Sequence, residues 1–223
     1  MSPDPVVIVG AGPGIGLATA RRFGREGYPL ALVARDGAKL DALVAELAAE
    51  GVSAIGVVAD IADAATIGPA FARIRDTLGD PGVLVMNASQ SVRGKATELD
   101  LDELAASLSS NIVGPLACVQ QVVPAMRAAG RGTVLLTGGG LALNPFPDWT
   151  TAALGKAGQR SLWQSLAKEL EPDGIHAAMV TVNGFVKLGT ALAPELIADA
   201  HYALHRQDRE AWEREVTLVA EPG

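Results

Sequence analysis

The chain has 223 residues, enough for one ordinary α/β domain with a substantial core of its own. Apolar residues make up 49%, and 25 acidic against 18 basic side chains give a net charge of −7. Scattered Arg and Lys exclude a clustered basic surface for nucleic acid, and no apolar run reaches the roughly 18 residues of a membrane span.

The opening Met-Ser-Pro-Asp-Pro carries no basic stretch and no separate apolar segment, so no secretory signal is expected. Cys118 is the only cysteine. It allows no internal disulfide, fits a reducing cytoplasm, and at helical spacing with Leu116, Val119 and Val122 reads as a core residue.

Short β-rich runs alternate with amphipathic helices, the pattern of a doubly wound parallel sheet. Strands are predicted at residues 6–9, 30–33, 54–58, 83–86, 133–136 and 176–181, with a seventh at 216–220. Leu40, Leu43, Val44 and Leu47 mark one helix face between them; Ile67, Ala70, Phe71, Ile74 and Leu78 mark another. Gly51 and Gly130 punctuate helix ends. No linker, repeat or low-complexity tract interrupts the chain. One domain over 1–223 is expected, with a helical excursion near 190–213 forming part of a substrate pocket.

The first chemistry-bearing segment is Gly10-Ala-Gly12-Pro-Gly14-Ile15-Gly16, directly after an apolar strand and opening a helix. Glycines let backbone approach a pyrophosphate, whose charge meets free N–H groups at the helix N-terminus. A G-x-G-x-x-G spacing fails because its third glycine falls on Ile15. G-x-x-x-G-x-G fits at Gly10, Gly14 and Gly16, and this resembles the short-chain dehydrogenase/reductase family. The resemblance implies a Rossmann-type sheet of about seven strands flanked by helices, a three-layer sandwich, and binding of a nicotinamide dinucleotide. Val9 stands where the family has a threonine.

About 20 residues beyond such a turn, an acid selects NAD by binding the ribose 2′-hydroxyl. Ala34 occupies that place and Arg35 follows, and a guanidinium pairs with a 2′-phosphate. NADP(H) is therefore expected over NAD(H). A strand end shifted by one residue would bring Asp36 to the ribose instead, and Asp36 also suits a helix N-cap.

The resemblance extends over nearly the whole chain. Asp60-Ile61 is similar to the family's Asp-Val pair at the adenine, although Asp60 and Asp63 both compete for an N-cap. Met86-Asn87-Ala88-Ser89 lies at the Asn-Asn-Ala-Gly motif, which implies that Asn87 ties adjacent strands together at the cofactor site and that Ala88 lies beside the adenosine. Asn111 matches the helix asparagine of the proton relay, and Pro115 nearby suits a helix irregularity. Lys156 matches the lysine that binds the nicotinamide ribose, and Gly184 and Val186 match the segment at the carboxamide. Lys156 also reads as an exposed helix lysine, and Thr190 as a replacement for a family threonine.

Two positions depart from the pattern. Gly139 falls where the family has its catalytic serine and Ala152 where it has its tyrosine, leaving Asn111 and Lys156 as the catalytic remnants. Alanine and glycine can neither donate a proton nor orient a carbonyl. Tyr202, on a helix expected to roof the pocket, Asp148, Thr150 and Thr151 are the candidate substitutes. Three functions stay open: an NADP(H)-dependent oxidoreductase acting on a small carbonyl or alcohol, a cofactor-binding protein without redox turnover, and a non-redox lyase or isomerase. No metal site is expected. His201 and His205 have i, i+4 spacing but no clear third ligand. The resemblance also implies a homodimer or homotetramer, with Trp163 at its seam.

Overall fold

The computed structural model describes residues 3–220. Seven strands form one parallel sheet: β1 (Val6–Val9), β2 (Leu30–Ala34), β3 (Ala54–Val58), β4 (Val83–Met86), β5 (Gly132–Gly139), β6 (Ile175–Asn183) and β7 (Glu215–Val219). Their spatial order is β3-β2-β1-β4-β5-β6-β7. The order reverses between β1 and β4, and ligands bind such sheets in the crevice outside the carboxyl ends at that reversal.

The helices are α1 (Ile15–Arg25), α2 (Gly37–Ala49), α3 (Ala64–Leu78), α4 (Leu101–Leu108), α5 (Gly114–Ala129), α6 (Thr150–Leu170) and α7 (Pro194–His205). They cover both faces and make a three-layer sandwich. On one face Leu17 and Phe23 of α1, Leu40 and Leu47 of α2 and Ile197 of α7 pack on Ile8, Leu32 and Val85. On the other, Phe71 of α3, Val122 of α5 and Trp163 of α6 pack on Val7, Leu84 and Leu136. Because both faces are covered, β1 and β4 read as continuous apolar runs without alternation.

Capping fixes where the helices begin. Asp36 accepts from the Lys39 amide at 3.1 Å, Asp63 from Ala65 at 3.0 Å, and Asp100 from Asp102 and Glu103. Gly130, left-handed at φ 64°, ends α5.

Between α4 and α5, residues Ser109–Val113 form a π-helical segment, so Leu101–Ala129 runs as one continuous helix. By length and mean hydropathy that helix could cross a membrane, although Ser107, Ser109, Ser110, Asn111, Gln120 and Gln121 break it into short apolar runs. Its apolar side chains Cys118, Val119, Val122 and Met126 instead fill the core under the sheet. Burial pushes the Cys118 thiol up to about 12, as expected of a packed rather than reactive cysteine.

Trp163 is also internal. It is 1% exposed, and its indole N–H donates to the Val134 carbonyl at 3.3 Å. The expected seam position is thus corrected: the apolar stripe of α6 faces the sheet, which periodicity alone could not distinguish from a neighbouring subunit.

Candidate functional site

The turn after β1 places Gly10 against the end of β4. Gly10 has φ +85°, and a Cβ there would lie 2.3 Å from the Ala88 amide nitrogen. Only glycine fits such backbone contact. Asn87 secures it: its side-chain amide donates to the Gly10 carbonyl at 3.0 Å, while its backbone N–H bonds Val9 O at 2.8 Å. A Cβ on Gly12 or Gly14 would meet nothing within 4 Å, so backbone stands bare there. Gly14 provides no side-chain cap to α1, and no acid occupies its first turn, where Ile15 and Gly16 sit. This is the arrangement an anion needs at a helix N-terminus.

Beside the turn lies a cleft of about 330 Å³. Gly10, Arg35, Asp60, Ile61, Asn87 and Ala88 all line it, so the structure brings together these six sequence-predicted positions. Asp36 is not in its lining. That carboxylate caps α2 and pairs with Lys39 Nζ at 3.1 Å, and the Lys39 backbone amide, then its side chain, hold it below the usual carboxylate range. Asp60 accepts from the Ala62 amide at 3.0 Å, while Asp63 takes the N-cap of α3.

Farther along the carboxyl edge, Lys156 of α6 reaches the end of β5. Its Nζ donates to the Thr137 carbonyl at 2.8 Å. Burial alone pulls its ammonium down to about 8. A Cβ on Gly139 would touch the Lys156 stem at 3.5 Å, an ordinary contact. Asn111 lies in the π-helical segment, 1% exposed, against the Gly155 backbone next to Lys156; a Cβ there would come within 2.9 Å of its amide. Its side chain is fully engaged, donating to Gln90 O and Ser107 O and accepting from the Gln90 amide at 3.1 Å. Asn111 therefore pins the loop after β4 to α6, with no bond to Lys156 itself.

Gly184 and Val186 follow β6 and lie outside the cleft lining. Gly184 has φ +145° with Leu192 and Ala220 close by, and Val186 is 43% exposed. Thr190 donates to Lys187 O at 2.8 Å and so closes its own loop.

The candidate proton donors are otherwise occupied. Tyr202 packs edge-on to Phe23 at 5.3 Å beneath the Arg22 guanidinium, so α7 lies on α1 rather than over Lys156. Its expected position roofing the pocket is corrected: only the ten residues 184–193 separate β6 from α7, and the helix folds back onto the sheet face. Asp148 pairs with Arg93 at 3.1 Å. Thr150 donates to Pro147 O, and buried Thr151 exchanges hydrogen bonds with the Val92 backbone. The two histidines of α7 point to different partners: His201 Nε2 lies 3.0 Å from Thr137 Oγ1, and His205 bridges Thr133 and Tyr28.

Sequence reasoning missed Gln90 and Ser110, which line the cleft and share a 2.8 Å hydrogen bond. The signal was present in Ser107, Ser110 and Asn111, polar residues at i, i+3, i+4 that share one face of the helix.

A reversed parallel sheet with a glycine turn, bare helix N-terminus and lined cleft at its carboxyl edge defines a dinucleotide-binding α/β protein. Residues 4–200 match the short chain dehydrogenase family model, and the chain belongs to that family. It is 32% identical over 180 residues to the (2S)-[(R)-hydroxy(phenyl)methyl]succinyl-CoA dehydrogenase subunit BbsC of Thauera aromatica, covering 81% of this chain and 70% of that protein. D-xylose 1-dehydrogenase of Caulobacter vibrioides is 33% identical over 185 residues, covering 82% and 71%. A metagenomic short-chain oxidoreductase crystallised with NADP superposes with a TM-score of 0.89 at 28% identity, covering 98% of both chains. The family supports a nicotinamide-dependent oxidoreductase.

Proposed function

We propose that this chain binds NADP(H) and transfers hydride to or from a small carbonyl or alcohol, from an active centre that lacks the family serine and tyrosine. The observation that carries the cofactor choice is Arg35 at the cleft while Asp36 is committed to capping α2. A guanidinium can pair bidentately with a 2′-phosphate, which a carboxylate would repel. Likeness to a structure crystallised with NADP supports the same choice.

The residues fit the dinucleotide. Gly12, Gly14, Ile15 and Gly16 would receive the pyrophosphate, Asp60, Ile61 and Ala88 the adenosine, and Lys156 the nicotinamide ribose, with Gly184 and Val186 near the carboxamide. When bound, the nicotinamide supplies or accepts the hydride. Asn111 holds the 90s loop against α6, and Lys156, fixed by the Thr137 carbonyl, presents positive charge beside the developing alkoxide. The proton comes from solvent, because Gly139 and Ala152 bear no hydroxyl. A positioned acid is worth about 100-fold to 10,000-fold, so turnover is slow.

Those same two residues favour a second reading, a cofactor-binding protein without redox turnover. Following NADPH absorbance against a panel of aldehydes and ketones separates them: any steady consumption supports the oxidoreductase, and tight NADPH binding with none supports the second. Association of two copies belongs to either reading, across the outer sides of α5 and α6, where Leu154 is 45% exposed.

A further inference from the structure

We infer that Lys156 is a nucleophile that forms an imine with aldehydes or ketones bearing an apolar chain, on the side of its stem where Gly139 and Ala152 carry no family side chains. The inference rests on the reading of positions 139 and 152 above, but it requires neither cofactor nor hydride transfer.

Three features of the site converge on this chemistry. Lys156 Nζ has a single partner among the described residues, the neutral Thr137 carbonyl, and a neutral acceptor serves an amine as well as an ammonium. Lys39 and Lys95 are ion-paired, whereas no carboxylate pairs with Lys156 among the described residues. Both trimmed positions adjoin its stem: the missing Gly139 side chain would touch Cγ, Cδ and Cε at 3.5 Å, and Ala152 lies one helical turn earlier on the same face.

Burial completes the case. With burial pulling its ammonium down to about 8, Lys156 carries a larger neutral fraction near neutral pH than an exposed lysine does. The surroundings indicate the class of carbonyl compound. Leu143, Phe146 and Trp149 follow β5, Phe185 and Leu188 follow β6, and all five are exposed. The ends of these strands pair directly, Gly139 beside Val182, so both loops leave from the same edge of the sheet. An apolar chain on the carbonyl compound would lie against this rim.

The chemistry balances without an oxidant or reductant. The neutral Nζ adds to the carbonyl carbon, forming a C–N bond as the C=O π bond breaks, and a proton passes from nitrogen to oxygen. The carbinolamine loses its hydroxyl with a proton from solvent, releasing one water and leaving a protonated C=N, whose nitrogen returns a proton to solvent to give the neutral imine.

Hexanal with cyanoborohydride, which reduces an imine to a stable secondary amine, tests this on the intact chain, read by peptide mass spectrometry. Lys156 should be labelled at least about tenfold faster than Lys39, Lys95, Lys168 and Lys187, with a rate that climbs with pH and levels off above about 8. The Gly139→Ser, Ala152→Tyr double variant should lose that preference while unfolding as cooperatively as the parent. Labelling of Lys156 no faster than the exposed lysines overturns the inference. NADPH titration of the same samples keeps the outcomes apart. Retained binding without preferential labelling removes only the imine, and preferential labelling without NADPH binding removes only the cofactor reading.

Discussion

Lys156 is held by the backbone of Thr137, its Nζ donating to the carbonyl at 2.8 Å. A backbone anchor does not depend on the identity of residues 139 or 152. The lysine therefore keeps its place although both neighbouring family side chains are missing. Restoring them should restore the acid: Gly139→Ser with Ala152→Tyr should raise NADPH-dependent carbonyl reduction by about 100-fold or more. The serine Cβ meets only ordinary contacts at 3.5 Å, so the substitution at position 139 should cost little stability. Unchanged turnover in a folded double variant would count against the assignment of these positions.

Arg35 should choose between the two dinucleotides. On the proposed reading, Arg35→Ala should remove a charge-assisted pair worth about 1.5–3 kcal/mol, or roughly 10-fold to 150-fold in NADPH affinity, with little change for NADH. Competition binding of both coenzymes reads the difference. An equal loss for both would mean that Arg35 does not touch the 2′-phosphate.

Gly10→Ala should damage stability and binding together. The new methyl would press on the Ala88 backbone at 2.3 Å in a left-handed conformation, a strain of about 1–3 kcal/mol before any clash is relieved. A lower urea midpoint together with weaker NADPH binding is the expected result. Gly12→Ala, with no atom near its methyl, should leave the urea midpoint nearly unchanged.

His201 links acidity to stability. Burial drives its imidazole down to about 3, whereas an unfolded histidine titrates near 6.5. Above pH 6.5 both states are neutral and the linkage vanishes. Between 6.5 and 3 the unfolded chain binds a proton that the folded chain refuses, so stability falls by roughly 1.4 kcal/mol per pH unit. His205, pushed down to about 4 chiefly by burial, acts in the same direction. Urea midpoints between pH 7 and 4 should drop steeply, and His201→Gln should flatten part of that slope.

Much of the fold was legible because apolar runs here end at glycine or charge. The runs at 6–9, 54–58 and 83–86 matched the strands residue for residue. β5 and β6 extend beyond their predicted ends, to Gly139 and Asn183, because Thr137, Gly138 and Gly139 pair with β6 and Val182 and Asn183 pair with β7, cross-strand partners that local sequence does not show. The glycine turn and the six cleft residues were readable because their motifs are local. Gln90, Thr151 and His201 were not, since their partners lie 20 to 64 residues away and packing alone brings them together. The places of Trp163 and Tyr202 failed for a related reason. Helical periodicity reveals an apolar face but not what covers it.

Titration of the purified chain with NADPH and NADH, followed by nicotinamide fluorescence, tests the central claim most directly. Saturable binding of both is expected, with NADPH at least about tenfold tighter through the Arg35 pair. Tighter binding of NADH, or no binding of either at millimolar concentration, would contradict a dinucleotide seated on the Gly10 turn beside Arg35.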